Sequence, residues 1–140
     1  MKSIDTFDGE YVWLSNFYPC VVRFEEHVFP SVENAYQAAK FPSEERDQFV
    51  TMRPGVAKKL GRTATLPGDW NLRRIDVMIT LLRYKFEAGT GLAAKLMATG
   101  DAELIEGNYW NDTFWGVYRG KGENMLGQLL MAIRAELQGA

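Results

Sequence analysis

The stretch that most constrains this chain is Pro30-Ser31-Val32-Glu33-Asn34-Ala35-Tyr36-Gln37-Ala38-Ala39-Lys40. A serine hydroxyl accepts a backbone N–H of the first helical turn, so Ser31 predicts a helix beginning at Val32. At about 100° per residue Glu33, Gln37 and Lys40 share one stripe, while Ala35, Ala38 and Ala39 gather opposite. Alanine carries nothing beyond Cβ, so that side can press closely on a neighbouring element. The polar stripe has two readings. It is either a wet surface, the common fate of charged residues, or a carboxylate, an amide and an amine held in register toward a ligand.

The remaining composition narrows the choices. With 140 residues, 46% of them apolar and 24% charged, the chain has the length of one domain and the profile of a soluble globular protein. Its net charge of −2 is spread without a long basic block, so strong non-specific binding to duplex nucleic acid is not expected. One cysteine, Cys20, excludes an internal disulfide, and one histidine, His27, argues against a His/Cys metal site. No metal or cofactor is expected. Cys20 begins an apolar strand and reads as core rather than nucleophile. No apolar run approaches a membrane span, and the first residues lack a signal-peptide pattern, so the expected compartment is the cytoplasm with no membrane partner.

Along the chain, Tyr11 to Pro19 reads as an aromatic loop packed on the body, with Ser15 and Asn16 placed either to bond a ligand or to make local turn bonds. Cys20–Phe24 and His27–Phe29 predict a short hairpin around Glu25-Glu26. Helical pieces are expected over about Ser43–Thr51 and Pro54–Gly61, the latter with Pro in its first turn and Gly61 as its stop. A long helix should run from Trp70, capped by Asp69, to about Ala88, burying Leu72, Ile75, Ile79, Leu82 and Phe86. Trp70 sits in its first turn, as staple or as ligand-facing ring, and Lys85 in its last, where a cation suits the helix dipole. Another helix is expected over Gly91–Thr99, a strand at Leu104-Ile105-Glu106, and a final helix from about Glu123 to Leu137.

Two stretches carry candidate chemistry. The segment Gly116-Val117-Tyr118-Arg119-Gly120-Lys121-Gly122-Glu123-Asn124 is glycine-rich, brings two cations and leads into a helix, so its N–H groups suit a phosphate. It is not a Walker A loop, because no Ser or Thr follows Lys121 for magnesium. The acids Glu33, Glu106 and Asp112 are candidates for handling a cationic, sugar-like transition state. The dipole at its helix start favours Glu33 ionised, as base or charge stabiliser.

Taken together, Leu14-Ser15-Asn16-Phe17, the Pro30–Phe41 stretch, Lys85-Phe86, Trp115-Gly116 and Gly120-Lys121-Gly122-Glu123-Asn124-Met125-Leu126-Gly127 resemble the NADAR family, the YbiA-like group linked to NAD and ADP-ribose. The resemblance runs from about Phe7 to Leu137. It implies a single α+β domain over residues 1–140, mainly helical with a small β-sheet, acting as an N-glycosidase on ribosyl compounds. The implied substrates are phosphoribosylamino-pyrimidine intermediates of riboflavin synthesis, or ADP-ribose attached to guanine in nucleic acid, which would make modified nucleic acid a partner.

The resemblance also implies site residues. Glu33, Asp112, Lys85 and Lys40 stand at catalytic positions. Ser15, Asn16, Phe17, Tyr36, Gln37, Trp70, Trp115, Gly116, Arg119, Gly120, Lys121, Gly122 and Asn124 stand at binding positions. Asn34 replaces the histidine that some relatives carry after the glutamate. Two mechanisms follow. Glu33 stabilises an oxocarbenium ion and, with Asp112, activates water; or a lysine, Lys85 or Lys40, with a pKa lowered by burial, forms a Schiff base with the opened sugar. The alternative is a non-catalytic ADP-ribose or NAD sensor using the same residues.

Overall fold

The computed structural model describes residues 2–140. In chain order it contains β1 (Ser3–Ile4), β2 (Val22–Phe24), β3 (His27–Phe29), α1 (Val32–Ala38), α2 (Pro54–Gly61), α3 (Trp70–Lys85), α4 (Gly91–Ala98), β4 (Glu103–Leu104), β5 (Gly107–Asn108), β6 (Val117–Tyr118) and α5 (Met125–Gly139), with 3₁₀ stretches at Gly9–Leu14 and Ser43–Val50. The class is α+β, as expected. Instead of one small sheet, the described strands form three separate two-stranded pairs: β1 with β4, β2 with β3, β5 with β6. The contacts divide the chain into two compact units, Asn16–Lys85 on one hand and the stretch up to Ser15 with Phe86–Ala140 on the other.

In the Asn16–Lys85 unit, α1 is the centre. Ser31 caps it as expected, its Oγ accepting the Asn34 N–H at 3.0 Å. Asn34 then ties the helix outward, its Nδ2 donating to the carbonyls of Phe49 at 2.9 Å and Met52 at 2.7 Å. The expected split into a polar and an alanine face is corrected: every residue from Val32 to Ala38 is buried, and Lys40 lies beyond the helix end. The reason is crowding, because α2, α3, the hairpin and the Ser43–Val50 turn all pack on this one short helix. A seven-residue helix is not stable by itself in water, so these neighbours hold it in shape.

The hairpin forms with Val22 opposite Phe29 and Phe24 opposite His27. Its turn lacks glycine, and Glu25 takes the left-handed position at φ 51°. Arg46 offsets that cost, donating to Glu25 Oε2 at 2.6 Å and to the Phe41 carbonyl at 3.0 Å while lying over the Phe24 ring. In α3 the expected stripe is buried at Leu82 and Phe86, half-buried at Ile75 and Ile79, and turned away from Leu72. Leu72 is 80% exposed, and the helix buries Trp70, Val77, Met78, Leu81, Leu82 and Lys85. It ends at Lys85 rather than Ala88.

In the second unit, β1 and β4 pair in parallel, and α5 packs on β4 and α4. The expected strand at Leu104-Ile105-Glu106 is realised one residue earlier and shorter. Gly127 sits where any Cβ would collide with the Leu104 carbonyl. Buried Arg134 donates to Thr99 Oγ1 at 2.9 Å and to the Ala102 carbonyl at 2.8 Å, closing the turn between α4 and β4. Tyr11 to Leu14, expected as loop, is largely 3₁₀ helix that buries Trp13 and Leu14. Among the described residues no helix is long and apolar enough to cross a membrane.

Asn34→Ala removes the donor to two inner carbonyls and the partner of the cap. Leaving buried acceptors unmade costs about 1–3 kcal/mol each. The expected loss of unfolding free energy is therefore on the order of 3 kcal/mol in urea denaturation; a loss under about 0.5 kcal/mol, the range of a neutral surface change, would contradict the bracing role.

Candidate functional site

Glu33 is buried to 8% exposure in the first turn of α1. Its backbone N–H donates to the Asn16 carbonyl at 3.0 Å, fixing the start of the helix to the Asn16 loop. One turn on, Gln37 Nε2 donates to Glu33 Oε2 at 2.7 Å. This is the carboxylate–amide pair of the sequence stripe, now inside the protein rather than on its surface. A buried charge is costly unless it is bonded, so the site holds its carboxylate by a donor aimed at it.

Around this pair, Tyr36 and Trp70 meet at 5.5 Å between ring centres, and Lys40 Nζ stands 5.4 Å over the Tyr36 ring. Burial pushes the Lys40 amine below its ordinary range, the Glu33 carboxylate pulls it back up, and Arg62 lowers it again. Lys40 and Glu33 thus feel each other's charge. Asn16 Nδ2 makes a weak bond to Met78 Sδ at 3.7 Å. Its Oδ1, like Gln37 Oε1, is buried without a hydrogen-bond partner. Phe17 is half exposed beneath Lys58 Nζ, 5.8 Å from its ring centre.

Lys85 closes α3 at 2% exposure, so it is not a solvated cation at a helix end. Burial lowers its pKa to about 8, with the Cys20 side chain opposing the shift, and the Tyr18 ring lies 5.8 Å from Nζ. An amine with that pKa is neutral in roughly a quarter of molecules near pH 7.5. Cys20 is shifted the other way: burial raises its thiol, while Lys85 and the Val32 N–H work against the rise. It is therefore a poor thiolate nucleophile.

The remaining residues singled out from the sequence lie in the second unit. Asp112 is a loop brace: its Oδ1 accepts the N–H groups of Phe114 at 3.1 Å and Trp115 at 2.9 Å. Its own backbone is bracketed by Asn108, which both accepts from Asp112 N and donates to its carbonyl. Asn124 is a second brace, accepting from Glu106 N and donating to the Leu104 carbonyl at 2.9 Å each. Trp115 meets Phe114 edge-on at 4.8 Å, and Arg119 lies over Tyr118 at 5.1 Å. Ser15 ends the Gly9–Leu14 stretch, its N–H bonded to Val12.

Several N–H groups of the glycine-rich stretch are already bonded within the protein. Tyr118 and Lys121 bond each other across a tight turn whose two central residues, Arg119 and Gly120, both have positive φ, the geometry of a hairpin turn. The N–H groups of Glu123, Asn124, Met125 and Leu126 donate to the carbonyls of Thr113, Gly116, Phe114 and Trp115. That is where the opening of α5 spends its donors. Gly116 and Gly122 are there for space: a Cβ on either would overlap backbone, of Glu106 and of Gly116 respectively. The exposed side chains of Arg119 and Lys121 stay available to an anion.

Residues 5–138 match the NADAR domain. The chain belongs to the NADAR family. It is 36% identical over 133 residues to the N-glycosidase YbiA of Escherichia coli (strain K12), covering 91% of this chain and 82% of that one. It is 38% identical over 136 residues to the riboflavin biosynthesis protein VVA0006 of Vibrio vulnificus (strain YJ016), covering 94% of this chain but only 37% of that longer protein. The NMR structure of E. coli YbiA superposes with a TM-score of 0.85 at 34% identity, covering 98% of this chain and 85% of that one.

Three neighbours of these side chains escaped the sequence reading: Tyr18 beside Lys85, Lys58 beside Phe17, and Asn108 beside Asp112. An Asn four residues before an Asp in a loop was the one available signal. Lys85 yields a prediction with a definite sign. The amine stays charged up to its ordinary 10.5 in the unfolded chain but only up to about 8 when folded. The burial cost is therefore present in full below pH 8 and is relieved between there and 10.5, so this group makes stability rise with pH across that window. The expected difference between wild type and Lys85→Met accumulates to on the order of 3 kcal/mol over the window by chemical denaturation. Parallel curves for the two proteins would contradict it.

Proposed function

We propose that this protein is an N-glycosidase that hydrolyses the bond between a phosphorylated ribose and the nitrogen of a pyrimidine, with the phosphoribosylamino-pyrimidine intermediates of riboflavin synthesis as its substrate class. The observation that carries the reading is the buried Glu33 carboxylate held by Gln37 at 2.7 Å in a chain of this family. A relative named N-glycosidase and another named for riboflavin biosynthesis support the reaction and the substrate. The reaction needs no membrane and takes a small molecule; we treat residues 1–140 as one functional domain for it.

In this reading Glu33 stays ionised and faces the positive charge that develops at C1 as the glycosidic bond breaks. The leaving amine takes a proton, and the elements of water end on C1 and on the released base. The Glu33 carboxylate draws the Lys40 amine toward its charged form against the effect of burial. Tyr36 and Trp70, buried and packed on each other, form an apolar backing, and Asn16 Oδ1, buried without a hydrogen-bond partner, is the acceptor offered to a sugar hydroxyl.

The lysine route is favoured by the enclosure of Lys85 at 2% exposure, where burial favours the neutral amine. In it the neutral amine attacks C1 of the ring-opened sugar, the base departs as its amine, and water then cleaves the imine to regenerate lysine. Asp112 is assigned to loop bracing rather than to water activation, since its Oδ1 is engaged by two backbone N–H groups.

Two arms test this. Incubation with a phosphoribosylamino-pyrimidine, followed by mass spectrometry, is expected to show released base from wild type and at least about a thousandfold less from a folded Glu33→Gln variant, the scale of losing a transition-state charge contact. ADP-ribosylated guanosine serves as the competing substrate; faster release from it would replace the substrate assignment. Ligand binding without release from either substrate would make the chain a sensor. Borohydride during turnover should leave a sugar adduct on Lys85; full activity with no adduct removes the lysine route.

A further inference from the structure

We propose that Gly61 is a positioning residue for the reaction, acting on Glu33 through the Gln37 amide. The inference rests on the reading of Glu33 as the reacting carboxylate. Gln37 stands between two things. On one side its Nε2 donates to Glu33 Oε2 at 2.7 Å. On the other its Oε1, buried and without a hydrogen-bond partner, lies directly on Gly61 at the last position of α2.

A Cβ at residue 61 would overlap that oxygen and crowd Gln37 Cδ at 2.6 Å and Cγ at 3.2 Å. These are not the contacts of a mobile surface tip. Gln37 is 6% exposed, so its side chain has little room to retreat. Turning the amide over is no escape either, because Oε1 would then face the carboxylate oxygen, acceptor against acceptor.

The backbone does not require glycine here. Gly61 is absent from the positive-φ residues and sits in regular helix, where glycine costs about 1 kcal/mol relative to alanine. The sequence reading of Gly61 as a helix stop is therefore incomplete. Its missing side chain is what lets the amide lie flat between α1 and α2, with its donor end on Glu33. The buried acceptor left orphaned at Oε1 is the cost of that arrangement, and a purely structural glutamine would not be expected to bear it. Gly61 never touches the substrate in this account; it fixes the direction from which the carboxylate is held.

The test is a double-mutant cycle on Gly61→Ala and Gln37→Ala, with Gln37→Met as a variant that keeps side-chain volume and loses the donor, and Glu33→Gln as the control. Release of base from a phosphoribosylamino-pyrimidine is followed against pH, with circular dichroism confirming the fold. Gly61→Ala and Gln37→Met are each expected to lower kcat on the order of ten- to a hundredfold, the worth of a hydrogen bond to a charged group, with KM changed less than about threefold. The acid limb of the pH–rate profile should move to higher pH in both, because the ionised form of Glu33 has lost its donor. Once residue 37 is alanine, Gly61→Ala should cost nothing more.

Wild-type kcat and an unmoved acid limb in Gly61→Ala would overturn the proposal, as would strict additivity in the cycle. Should Gly61→Ala fail to fold, Gln37→Met decides in the same way. Persistent turnover in Glu33→Gln would sink the reading of Glu33 itself, whereas loss of turnover there with normal Gln37 and Gly61 variants would sink only the relay.

Discussion

The interaction on which the Asn16–Lys85 unit depends is the burial of α1 with its polar side chains already bonded. Seven residues cannot hold a helix against solvent, and here every one of them is inside. Three polar residues in that run would each cost stability if left unpaired. Ser31 and Asn34 resolve this by capping the helix and reaching out to the carbonyls of Phe49 and Met52. Glu33 and Gln37 resolve it by bonding each other. The first pair fixes where the helix is; the second uses that fixity to aim a carboxylate.

The two buried ionisable side chains of this unit that bear on chemistry are treated differently. Glu33 is given a donor and a nearby cation, and its charge is accommodated. Lys85 is sealed from water, and burial discourages its charge, down to a pKa of about 8. A carboxylate held by a donor and an amine whose charge is discouraged by burial suit a reaction in which positive charge appears on a sugar and an uncharged amine is useful. A fold indifferent to chemistry would gain by replacing both with hydrocarbon.

Much of this was legible in the sequence, and the failures have physical causes. The Ser31 cap, the hairpin and the helices beginning at Pro54 and Gly91 follow local rules that the tertiary structure had no reason to override. The α1 stripe stayed open between two readings because periodicity reports which residues share a face, not whether that face is wet. Four elements closing on one short helix bury both of its sides. The exposure of Leu72 in α3 has the same origin: Val77 and Leu81 are as apolar as Leu72, and only packing decides among them. Spacing alone offered the glycine-rich stretch as an anion cradle, and it cannot show that the donors opening α5 are bonded to the residues 113–116 carbonyls. What marked Glu33, Lys40 and Lys85 together was the set of spaced motifs shared with the NADAR family, not any one of them.

The account stands on Glu33 being a buried carboxylate at the working pH. Carbon-13 NMR of selectively labelled glutamate, assigned through the Glu33→Gln spectrum, observes that group directly. An ionised carboxyl signal for Glu33 throughout pH 6–8, perturbed on loss of the Gln37 donor, is the predicted result. A protonated carboxyl signal at neutral pH, or one that ignores Gln37, would contradict the account.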